Sequence, residues 1–171
     1  MIFKGSESNT RKLFLSAILP QGMIDYIESL AENYNVLELH GARAISIMFL
    51  NIAIDFAKAM GYDFEVYASP LLPGNPECLA IGELGLFITS KKLAEKKQIL
   101  DLTPYIMIGD YEKNIIAYNE MRAKELVDAA IKSLADTKLI HDRIESYYTA
   151  SMDFIGLDEF IEGFLPDIFG S

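Results

Sequence analysis

Three patterns of apolar and polar positions run along this chain, and each predicts a different kind of element. Strict alternation marks Asp63 to Ala68, where Phe64, Val66 and Ala68 interleave with Glu65 and Tyr67, as in a half-buried strand. Val36, Leu37 and Leu39 predict a second short strand ending at His40-Gly41, and a further strand is expected within Leu84 to Thr89, with a short one near Leu79 to Ile81. Arg11 to Leu19 reads as extended. Helical spacing comes next: Met23, Tyr26, Ile27 and Leu30 recur at i, i+3, i+4 and i+7, which predicts an amphipathic helix over Gly22 to Asn33. The third pattern is near-continuous apolarity from Ala44 to Met60. Only Asn51, Asp55 and Lys58 interrupt it, so a helix with one narrow polar stripe and an otherwise buried surface is expected, stopped by Gly61.

Pro70, Pro73 and Pro76 remove backbone donors and fix φ, so Ser69 to Glu77 is expected to be irregular. An apolar segment at Tyr105 to Ile108 leads into a stretch without Gly or Pro, from about Tyr111 to Tyr148. There Val127, Ala130, Ile131, Leu134, His141 and Tyr148 form a helical stripe, which predicts one long helix or two joined near Ala135-Asp136-Thr137. A short amphipathic helix over Leu157 to Leu165 closes the chain. Strands separated by a buried helix imply an α/β fold with a mainly parallel sheet and a long helical C-terminal part. Residues 1–171 read as a single domain, with no internal repeat or linker. In such sheets ligands sit beyond the carboxyl ends of the strands, an edge that here carries Gly41 to Ser46, the Pro-rich loop and Thr89 to Lys92.

Charge narrows the partners. A formal charge of −10 disfavours attraction to nucleic acid or to anionic membranes. The apolar run Ile45 to Ile54 is too short to span a bilayer, and Leu13 to Leu19 lacks the context of a signal peptide. One cysteine, Cys78, cannot close an internal disulfide, which suits a cytoplasmic location.

Val36 to Phe49 has the strand, turn and helix layout of a phosphate-binding loop. In the pattern GxxxxGK[ST], backbone N–H groups cradle phosphate, the lysine supplies charge and the hydroxyl binds Mg²⁺. Counting from Gly41, those last three positions hold Ser46, Ile47 and Met48. The charge and the metal ligand are both missing.

Arg11 to Ile24, Val36 to Phe49, Tyr62 to Tyr67, Pro76 to Leu84 and His141 to Phe154, taken in order, resemble a family of largely uncharacterised P-loop proteins described as ATPases. That resemblance implies a three-layer P-loop NTPase-like fold, commonly built of two related units, of which this chain matches one. Gly41 matches the first loop glycine, while Ala42, Arg43, Ala44 and Ile45 replace the flexible Gly-Pro-Gly-Thr portion. Ala80 stands where the family has a second acid, and Thr89-Ser90 where it has an acid after the next strand.

The expectation is a non-catalytic P-loop-like module acting through self-association or a related P-loop protein, with hydrolysis lost and neither ATP nor Mg²⁺ required. The alternative is an ATPase or kinase relative that still binds a nucleotide or phosphate ligand through a non-standard loop, Gly41, Ala42, Arg43, Ala44 and Ser46. Lys91, Lys92, Lys96 and Lys97 would then steer the anion. No catalytic residue and no metal site is assigned: neither histidine has a Cys or a second His at metal-ligand spacing, and His141 is expected to be packed. No GxSxG turn is present, and Cys78 has no placed base. From Asp142 to Ser171 seven acids face Arg143 alone, among many apolar residues that must be packed or presented to a partner.

Overall fold

The computed structural model describes residues 8–94, 97–107 and 109–169. The elements, in order, are β1 (Thr10–Leu13), β2 (Ser16–Leu19), β3 (Gly22–Asp25), α1 (Ile27–Ala31), β4 (Asn35–His40), α2 (Arg43–Met60), β5 (Phe64–Ala68), β6 (Pro76–Ile81), β7 (Leu86–Thr89), β8 (Lys97–Asp101), α3 (Asp110–Thr149) and α4 (Phe154–Phe169). Six strands form one sheet in the order β1-β5-β6-β7-β4-β8, and β2 and β3 form a separate hairpin. β1 is parallel to β5, β4 is parallel to both β7 and β8, and only β6 is antiparallel to its neighbours. The architecture is thus α/β around a mixed, mostly parallel sheet. α2 carries the chain from β4 across to β5, and the β5-β6-β7 meander returns it to the side of β4.

Alternation sorts the side chains of β6 between two cores. Leu79 and Ile81 pack in the same cluster as Leu50, Ile54 and Ala57 of α2, whereas Cys78 and Ala80 join Phe87 and the α1 residues Ile27 and Ala31. Each fully buried Leu, Ile or Phe contributes about 1.5–3 kcal/mol. The two clusters fix α2 on one side of the sheet and α1 on the other.

Several expectations are corrected. Gly22 to Asp25 is a strand, because the Pro20-Gln21 turn brings it antiparallel to Ser16–Leu19; the Asp25 carboxylate then accepts the Ile27 N–H at 2.8 Å, and the helix is only Ile27–Ala31. Pro76 and Glu77 belong to β6 rather than to the irregular loop. β8 was not expected from its polar start. α2 is less buried than its composition implies, since Met48, Ile52 and Phe56, four residues apart, lie on its outer face and are more than half exposed. α3 is one helix of 40 residues, none of them buried, so the expected packing of His141 does not occur. Gly61 ends α2 in the left-handed conformation, at φ 73°, as its position predicts.

Candidate functional site

Five of the six strands of the large sheet run the same way, so their carboxyl ends share one edge. A cleft of about 770 Å³ opens there, beyond β4, lined among others by Glu38, His40, Gly41, Ser90, Lys92 and Lys113. Its floor is set by β4. Glu38 lies between Leu37 and Leu39 and is fully buried, and one carboxylate oxygen accepts the Leu93 backbone N–H at 2.9 Å. The other is hydrogen-bonded to Nε2 of His40, two residues along the same face. A buried carboxylate is retained only where such partners replace water, and here they fix the imidazole at the lip of the cleft, with its side chain 41% exposed.

Asp101 is the register neighbour of His40 on β8. Hydrogen bonds from the Thr103 hydroxyl and backbone N–H hold its carboxyl below the ordinary value, with a smaller contribution from nearby His40. The arrangement offers an oriented imidazole, two carboxylates and the ammonium groups of Lys92 and Lys113. That set suits proton exchange or the holding of a small charged group.

The turn into α2 is short. Gly41 and Ala42 alone separate β4 from α2, so Ala44 to Met48 already lie in helix. Gly41 sits at φ 146°, which strains any side chain, and a Cβ there would come 3.2 Å from Cβ of Leu102, a tight contact. The Ile45 and Ser46 N–H groups donate to the Ala42 carbonyl, and Ser46 is buried. Arg43 donates from Nη2 to Ser69 Oγ at 2.9 Å, bridging to the start of the Pro-rich loop. No protein-family model, curated protein or solved structure matches the chain.

The residues nominated as anion-steering divide. Lys91 is engaged with Asp25 at 3.4 Å and Glu77 at 3.6 Å, and ties the segment after β7 to β3 and β6. Lys92 lines the cleft. Lys96 lies outside the described residues, and Lys97 begins β8. Lys113 also lines the cleft and bonds Asp110 at 3.0 Å. Glu38 and Lys113 were not singled out from sequence. The signal for Glu38 was present, an acid within Val36-Leu37-Glu38-Leu39 where alternation offers no exposed position on a central strand.

Cys78 is remote from this chemistry. Burial pushes its thiol up to about 12, its Sγ lies 3.3 Å from the Thr89 hydroxyl, and it is a closed core residue. His141, Asp142 and Glu145 bring ligand atoms within 4.8 Å of one another on α3, all exposed, but both Asp142 oxygens already accept from Lys138 at 2.9 Å. Among the described residues, no helix is long and apolar enough to cross a membrane.

Proposed function

We propose that this chain is a P-loop NTPase-like module that has lost phosphate chemistry and acts through self-association or a protein partner. The observation that carries the reading is the helical arm. α3 and α4 bury none of their described residues, yet expose Ile115, Met121, Leu134, Ile144, Phe160 and Phe164. Faces of that kind are partner surfaces. Loss of phosphate chemistry is supported by the two-residue turn and by Ile47 and Met48, since an apolar side chain cannot polarise a terminal phosphate and a thioether is a poor ligand for Mg²⁺. Light scattering is expected to give a mass above the 19.2 kDa of one chain, with no change in melting temperature on adding ATP or GTP with Mg²⁺. Saturable ATP binding with steady hydrolysis would contradict it.

The cleft favours a second reading, in which a nucleotide or other phosphorylated ligand binds beside His40. Its positive groups are Lys92 and Lys113, because Arg43 is held by Ser69. A nucleotide-induced thermal shift abolished by Lys92→Ala would favour it over the first.

A further inference from the structure

α3 needs a partner that the rest of its own chain does not supply. A helix of 40 residues is about 60 Å long, and most helical stability in proteins comes from packing of one face. Its chief contact with the body is with β2; Val127, Ile131 and Ala135, four residues apart, are half-buried, and no residue along it is fully buried. Uninterrupted helical periodicity of this length in a helix that does not cross a membrane is the mark of a coiled coil or bundle.

The seam has a heptad register. Glu120, Val127, Leu134, His141 and Tyr148 recur every seven residues at one core position, and Ile116, Ala123, Ala130, Thr137 and Ile144 recur at the other. The first set is mostly large. The second has small residues through its middle.

We infer that the occupant of this seam is α3 of a second copy of the chain, packed antiparallel to the first. This rests on the assembly reading above and gives it a partner and an orientation. In a parallel pair each position meets its own copy, which would set Ala130 against Ala130 and leave a void while Glu120 faced Glu120. Reversing one helix places the large set opposite the small set, so that Leu134 packs over Ala130 of the second copy, and Val127 over its Thr137. The same reversal brings Glu120 within about a turn of His141 of the second copy, whose Nδ1 also lies 3.7 Å from Glu145 of its own helix, so the seam's acid meets an imidazole instead of its own copy. Such a contact is isologous and closes on itself as a dimer.

The size is adequate. A stable interface buries on the order of 1,600 Å² in total, about 800 Å² per copy, and the seam runs about 48 Å with Ile116, Leu134, Ile144 and Tyr148 exposed along it.

Sedimentation equilibrium on the full chain is expected to give a dimer, weakened about a hundredfold by Leu134→Glu and little changed by Leu139→Glu, which lies off the seam. A monomer at all concentrations, or equal effects of the two substitutions, overturns the inference. Orientation is read from spin labels on Asp128→Cys and, separately, Asp142→Cys, with the buried Cys78 left unlabelled. Antiparallel pairing in this register, centred on position 132, places the position-142 labels farther apart than the position-128 labels by about 15 Å, given 1.5 Å per residue. Equal distances overturn it. A monomer that also fails to bind nucleotide sinks the dimer while leaving the loss of phosphate chemistry standing; a dimer that hydrolyses ATP does the reverse.

Discussion

From Thr10 to Leu102 the chain hides Leu50, Ala57, Leu79 and Phe87 completely, whereas from Asp110 to Phe169 it hides none of its described residues. The two regions use similar apolar residue types. In the body, alternation on β6 feeds two faces that are both covered, so every apolar position of that strand has a local destination. In the arm, the helical stripe is as regular, but the described residues of the same chain touch it chiefly through β2 and bury none of it. Regular patterning therefore specifies an element, and only the surrounding topology decides whether its face becomes core or interface.

That contrast makes predictions of graded size. Leu50→Ala opens a cavity beneath α2 and should lower stability by about 2–5 kcal/mol in urea unfolding, by the same amount at every protein concentration. Loss of the concentration-independence would mean that the body also depends on a partner. Gly41→Ala is expected to cost about 1–3 kcal/mol, because it forces a side chain into φ 146° against Leu102, and thermal melts should show it.

Alkaline pH gives a smaller effect confined to the body. Burial raises the thiol of Cys78 from 9.0 to about 12 and also raises the phenol of Tyr67. Folding therefore favours the protonated forms. The stability they contribute is fully present below pH 9 and is lost as pH climbs toward about 12, amounting to about 1 kcal/mol from the thiol by pH 10. Urea midpoints across pH 8–11 check the slope, which Cys78→Ala should flatten. Least affected should be Leu139→Ala, at an exposed arm position off the seam, within about 0.5 kcal/mol of the parent at any concentration.

Legibility in the sequence followed the same division. β4, β5, β7 and the extent of α2 were plain from alternation, apolar length and Gly61, since each is a local pattern with a local stop. The hairpin of β2 and β3 was not, because Met23, Tyr26 and Ile27 satisfy helical spacing by coincidence and the pairing with Ser16–Leu19 is a choice made between segments. β8 escaped notice because its register is imposed by β4 rather than by its own composition. At the candidate site, Gly41 and Lys92 were legible as the edge beyond parallel strands. The Glu38–His40 pair was not, since its meaning depends on the burial of a carboxylate beneath Leu93, which no linear pattern reports.

Hydrogen–deuterium exchange measured at two protein concentrations tests the central contrast most directly. Amides of β4, β6 and α2 should be protected equally at submicromolar and at hundred-micromolar chain, while those of α3 between Ile116 and Tyr148 should be protected only in the concentrated sample. Protection of α3 that is the same at both concentrations, or absent from both, would contradict the account of the arm as a surface completed by another copy.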